Sequence, residues 1–274
     1  MDNLQKIVLV IDADNTRLSK MEAVIQEIST HGRIVVKRAY GNWKKDALKH
    51  WENELKRLAI KAEQQFDYVS GKNATDMALV IGTLDLLHSN LYDAFAIVAS
   101  DSDYTPLAIR LHESGVFVIG VGEKKTPKAF RNACDEFVFL ENLQKEHLPK
   151  ENPPKENTEK PSANKNRQKE KNNKEKNVDP PEPEETEENE DSMDGFDEIH
   201  NLLKIASDKY QDNDGFVNVS SAGTFIKRAK PDFDSRTYGF LKLPQLLEAF
   251  PDKYEIKRYP GKGTVMIIGY KCLW

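Results

Sequence analysis

FAIVASDSDYTPLAIRLHESGVFVIGVG, residues 95–122, sets a helical segment between two short, almost wholly apolar runs. FAIVAS (95–100) and VFVIGVG (116–122) read as strands buried on both faces, and YTPLAIRLHES (104–114) reads as the helix joining them. The same alternation extends in both directions along the chain. Upstream lie IVLVID (7–12), the helical LSKMEAVIQEIS (18–29), IVVKRAY (34–40) and a long basic helix over WKKDALKHWENELKRLAIKA (43–62). A strand is expected over FDYVS (66–70) and a helix over TDMALVIGTLDLLH (75–88). Downstream, TPKAFRNAC (126–134) offers a Thr cap and a Pro at the first helical position, and FVFL (137–140) closes the series. Alternation of this kind predicts an α/β domain with a parallel sheet covered by helices on both faces. No GxGxxG or GxxxxGK[ST] loop follows any strand, which disfavours a nucleotide cofactor.

The chain has 274 residues and a net charge of −5. By segment this is about −1 for residues 1–140, −6 for 141–195 and +2 for 196–274, so the acidity belongs mostly to the middle. That middle, rich in Pro, Asn, Lys and Glu and without an aromatic residue, cannot offset the entropy of ordering and is expected to be a disordered tether. The expected organisation is a first domain at 1–144, a charged linker at 145–194 and a second domain at 195–274. Cys134 and Cys272 lie far apart and outside metal-ligand spacings, which predicts a reducing compartment. With no apolar run approaching a membrane span and no basic leader before one, the expectation is a soluble cytoplasmic protein.

In an open parallel sheet, ligands bind beyond the carboxyl ends of the strands. Asp12 ends the first strand, Asp101 and Asp103 follow the fourth, and Asp76 opens the third helix. Each alone has an ordinary role, as an N-cap or a partner of the helix dipole, and Asp14 and Asp85 read as solvent or cap residues. Together on one rim they repel one another, and a divalent cation, Mg²⁺ or Mn²⁺, is the partner that hard carboxylate oxygens would take. Such a metal activates water and stabilises charge on a phosphate, which fits phosphodiester hydrolysis.

The blocks IVLVIDADN, GKNATDMALV, IVASDSDYTPLAIRLHESG and GEKKTPKAFRNACDEFVFL resemble the motifs of NYN domains, PIN-like proteins of the bacterial LabA type, over residues 5–142. That resemblance implies a Rossmann-like PIN fold and metal-dependent ribonuclease activity. It carries acidic site positions onto Asp12, Asp76, Asp101 and Asp103, with Asn15 as the polar residue after the first strand. Relatives often carry an acid where this chain has Gly82.

Beside the rim, residues 33–72 hold about ten basic against five acidic side chains, with aromatic residues interleaved. Arg38, Trp43, Lys44 and Lys45 are the candidate RNA contacts there, extended by Lys124, Lys125 and Lys128, while Trp51 is expected in the core. The C-terminal segment reads as three helices, the third over 234–252, followed by a β-hairpin: a small α+β winged helix. DGFVNVSSAGTFI, PDFDSRTYGFLKLPQLLEAF and YEIKR resemble a LOTUS (OST-HTH) domain, which implies RNA binding and sometimes a protein partner. Lys227, Arg228 and Arg236 are its candidate RNA contacts.

The expected function is a metal-dependent ribonuclease recruited to RNA by its second domain. Two other readings compete. A non-catalytic RNA-binding adaptor is suggested by Gly82. A haloacid-dehalogenase-type phosphatase is suggested by DADNT (12–16), with Asp12 as nucleophile, although the helical pattern follows too soon for that family's loop and flap.

Overall fold

The structure, a computed structural model, describes residues 4–69, 73–143, 194–260 and 266–274. The expected tether falls almost entirely outside these residues.

Six parallel strands form the first sheet: β1 (Leu4–Asp12), β2 (Gly32–Gly41), β3 (Lys61–Gln64), β4 (Ala94–Val98), β5 (Phe117–Gly122) and β6 (Glu136–Phe139). Their order is β3-β2-β1-β4-β5-β6, so the chain reverses its direction of travel between β1 and β4. Helices α1 (Met21–Ser29), α2 (Trp51–Arg57), α3 (Ala74–His88), α4 (Thr105–Glu113) and α5 (Lys128–Asn132) cover it. Two apolar layers result. Ile7, Leu9 and Ile11 face α1 and α2 on one side, while Val8 and Val10 face α3 and α4 on the other. This is the parallel α/β architecture that the alternation predicts, of the PIN-like kind that the resemblance implies. Trp51, 3% exposed, lies in the core as expected. Burial pushes the Cys134 thiol up to about 12, so it packs as an apolar side chain.

The region 43–70 departs from expectation. The long basic helix is cut to a 3-10 turn (Asp46–Leu48) and α2, and over 66–69, the described part of the expected strand at 66–70, no strand forms. Ala59 adopts φ 51, and the Ile60 amide bonds back to the Leu55 carbonyl, which terminates the helix in a left-handed cap. The strand follows at once as KAEQ, pairing with Arg38–Gly41 on the sheet edge. An edge strand needs no apolar run, so its polar sequence gave no signal.

The second domain comprises α6 (Asp194–Tyr210), β7 (Val217–Asn218), α7 (Val219–Ala229), α8 (Leu243–Glu248), β8 (Tyr254–Pro260) and β9 (Met266–Cys272), with β9 central in a three-stranded sheet. It is a winged helix around Ile199, Leu203, Ile226, Leu246 and Tyr270. The third helix is shorter than expected because Gly239, at φ 85, ends a 3-10 turn over Ser235–Tyr238 before α8 begins.

The two domains touch through complementary polar groups. Arg131 pairs with Asp232 at 2.6 Å, and the Phe137 amide donates to the Pro231 carbonyl at 2.9 Å. Lys227 reaches Glu136, Arg236 reaches Glu27, and the Asn142 amide donates to Asp234 and Thr237.

Candidate active site

The reversal between β1 and β4 opens a crevice at the strands' carboxyl ends, the usual ligand site of such a sheet. Asp12 stands at the end of β1 and is fully buried. Burial, with the nearby Asp76 charge adding to it, raises its carboxyl to about 6. Asn15 acts in the opposite direction: its side-chain amide donates to Asp12 Oδ2 at 3.0 Å, and its backbone N–H to Oδ1 at 3.3 Å. Asp76, in the first turn of α3, accepts a 2.7 Å hydrogen bond from Tyr104 Oη. The fully buried Tyr104 also lies close enough to Asp12 to favour its ionised form, and burial, with both acids adding to it, raises the phenol in turn. One hydroxyl thus sits between two carboxylates.

Asp101 and Asp103 occupy the next turn. Asp101 caps the 3-10 segment Ser102–Tyr104, accepting from the Asp103 amide at 3.1 Å. Asp103 is exposed and accepts from the Asn73 side chain at 2.9 Å, which ties this turn to the start of α3. All four expected acids and Asn15 therefore lie on the crevice side of the sheet. Among the described residues, however, no three acidic, His or Cys side chains are close enough together to hold a metal ion.

The donor set still suits a hard cation. Asp12 and Asp76 repel each other where burial makes that costly, and they offer only oxygen ligands. The cations at the edge of the crevice are committed elsewhere: Lys45 to Asp14 (3.3 Å) and Asp67 (3.4 Å), Arg17 and Lys125 to Glu123 at 2.7 and 3.0 Å.

Several of these participants escape sequence reasoning. Asp14 is held at the rim by Lys45 and by the Thr75 hydroxyl at 2.8 Å. Glu123 is held below the usual carboxylate range by the Lys125 hydrogen bond and the charges of Lys125 and Arg17, despite partial desolvation, and its amide donates to Ser100. Tyr104 directly follows DSD, but nothing in the string shows that its hydroxyl turns inward. Asn73, the residue before α3, makes no cap hydrogen bond, and its side chain serves Asp103 instead.

The expected RNA contacts are scattered. Arg38 faces Glu63 at 3.6 Å, and the Trp43 indole donates to the Glu63 carbonyl while packing 6.1 Å from Trp51. Lys44 Nζ lies 5.0 Å over the Phe66 ring. Lys124 is exposed, its backbone N–H donating to Glu141. In the second domain Arg228 is exposed, whereas Lys227 and Arg236 form the interdomain pairs. Between Thr16 and α1 there is room only for a 3-10 turn (Leu18–Lys20), which leaves no place for a phosphatase loop and flap. No helix among the described residues is long and apolar enough to cross a membrane.

Comparison with known proteins matches the NYN domain family to residues 6–141 and the OST-HTH/LOTUS family to residues 195–266. No curated protein matches the chain. Among solved structures, a protein of unknown function from Vibrio parahaemolyticus is similar at 15% identity and a TM-score of 0.42, over 51% of this chain and 94% of that one. An uncharacterised protein of Nitrosomonas europaea is similar at 21% identity and a TM-score of 0.27, over 36% of this chain and 92% of that one.

Proposed function

For a chain whose first domain is an NYN domain and whose second is an OST-HTH/LOTUS domain, we propose metal-dependent hydrolysis of RNA phosphodiesters at the β1–β4 crevice. The NYN family is a PIN-like nuclease family and LOTUS domains bind RNA, so both halves point to the same polymer. The observation that carries the reading is Asp12, buried at the end of β1 and facing Asp76 across the Tyr104 hydroxyl.

Asp12 and Asp76, with Asp101 and Asp103 on the adjoining turn, would hold Mg²⁺ or Mn²⁺. That ion, when bound, supplies water activation and charge stabilisation on the phosphate. The remaining work falls to the protein. Asn15 fixes the Asp12 carboxylate through both oxygens. Tyr104 orients Asp76 with its single proton, and Asn73 orients Asp103. Exposed Arg228, Lys44 and Lys124 supply charge for the RNA backbone, and Lys227 and Arg236 orient the second domain against the first.

Asp12→Asn removes one charge and keeps the shape. Cleavage of mixed single-stranded RNAs with Mg²⁺ or Mn²⁺ should fall by orders of magnitude while the fold survives. Equal cleavage by wild type and Asp12→Asn would overturn the reading. RNA binding without cleavage by either would favour the adaptor.

A further inference from the structure

A groove of about 710 Å³ runs beside the first turns of α3, lined by Gln65, Tyr68, Val69, Asn73, Met77 and Ile81. Its walls are mostly apolar and, among the described residues, uncovered. Tyr68 is 86% exposed, and Phe66, Val69, Met77 and Ile81 are each more than half exposed. Large apolar side chains gathered on one face of a soluble domain mark a place where something binds.

Three observations say what. First, the groove is continuous with the carboxylate crevice. Asn73 lines it and also donates to Asp103, and Met77 directly follows Asp76. Second, Tyr68 puts a flat ring in the lining, and Phe66, next in the chain to the lining residue Gln65, is covered by a cation. Lys44 Nζ lies over the Phe66 ring, while its neighbour Lys45 is tied to Asp14 and Asp67. Third, polar groups are few: among the described residues, Gln65, Asn73 and the Tyr68 hydroxyl are the polar side-chain groups in the lining.

We infer that this groove is a nucleobase subsite of the cleavage centre, taking one unpaired base next to the scissile phosphate of single-stranded RNA. The inference rests on the ribonuclease reading above. The base stacks on Tyr68 against Met77 and Ile81, and Lys44 meets the backbone phosphate. Stacking on an aromatic face suits every base, and so few polar groups give little discrimination, so the subsite selects for single-strandedness rather than for sequence. A paired base stays in its duplex stack and cannot enter.

The test uses the full chain with Tyr68→Ala and Tyr68→Phe. Binding of a fluorescein-labelled single-stranded RNA is read by anisotropy in EDTA, and cleavage is read separately with Mg²⁺ or Mn²⁺. Tyr68→Ala should weaken binding and raise KM on the order of 10-fold, with kcat changed much less and duplex RNA unaffected, and Tyr68→Phe should behave as wild type. An abasic nucleotide scanned along the RNA should reproduce the loss at one position for wild type and add nothing for Tyr68→Ala. If wild type neither binds nor cuts RNA, the ribonuclease reading falls and takes the subsite with it. If wild type cuts RNA and Tyr68→Ala binds and cuts it equally well, the subsite alone is overturned. A Tyr68→Ala chain that changes from dimer to monomer in sedimentation, with unaltered cleavage, would make the groove a self-association face and also overturn it.

Discussion

The hydroxyl of Tyr40 fills the space that a Cβ on Gly82 would need, with the ring's Cζ and Cε1 next to it at 3.1 and 3.2 Å. Gly82 lies in α3 on the side packed against β2, so an acid at this position, as the family resemblance implies, has no room here unless Tyr40 moves. Tyr40 is 3% exposed, and in a close-packed core it cannot move without cost. Overpacking costs about 1–3 kcal/mol against the ~1 kcal/mol that Ala gains over Gly in a helix, so Gly82→Ala should destabilise the protein by up to about 2 kcal/mol. In a Tyr40→Phe background the same change should be far less harmful or stabilising. A urea-denaturation double-mutant cycle measures the coupling, and additive effects would refute it.

Tyr104→Phe deletes the hydroxyl between Asp12 and Asp76 and keeps the buried ring. A hydrogen bond to a charged group contributes about 1.5–3 kcal/mol, so stability should fall by at most that amount. RNA cleavage should fall more steeply than stability, because Asp76 loses its orientation. Parallel denaturation and cleavage curves report both quantities on one preparation.

Asp101 has two duties that substitution can separate. Asp101→Asn keeps an acceptor for the Asp103 amide, so the cap and the fold should survive while cleavage drops. Asp101→Ala should also cost about 0.5–2 kcal/mol of stability through the lost cap. Equal stability of the two variants would show that the cap contributes nothing.

The domain contact carries a pH signature. Burial alone would raise Glu136, but the His31 hydrogen bond and the charges of Lys227 and His31 override it and hold the acid at about 2. The Glu136 hydrogen bond in turn raises His31 above 6.5, against the effect of its own burial. A depressed acid stabilises fully above its unfolded value of about 4.5 and less as pH falls towards 2; a raised His stabilises fully below about 6.5 and less as pH rises through its folded value. This cluster should therefore contribute most between pH 4.5 and 6.5. Thermal melts across pH should lose the decline above 6.5 in Glu136→Gln, and an unchanged profile would assign it to other groups.

Docking should also outlast a cut chain. With a protease site inserted near residue 170, the cleaved halves should co-migrate in gel filtration and separate in Arg131→Glu, which opposes Asp232 with a like charge. Halves that separate in the wild type would contradict the contact.

The alternation of strand and helix, and the placing of Asp12, Asp101 and Asp103 at strand ends, were legible because periodicity and strand termini are local properties of a string. The family blocks were legible for the same reason. Edge strand β3 was not, since a strand paired on one side tolerates the polar KAEQ and is recognised by its neighbour Arg38–Gly41. Nor did the string show that Tyr104 turns towards Asp76, or that Lys45 and Thr75 hold Asp14. The basic residues of the second domain make the contrast sharpest. As sequence, Lys227 and Arg236 are free charges suited to RNA, while in the fold they meet Glu136, 91 residues away, and Glu27, 209 residues away. Coulomb attraction depends on distance through space and on burial, neither of which the order of residues contains. The chain alone therefore determined which charges exist, and tertiary structure decided which of them are already paired.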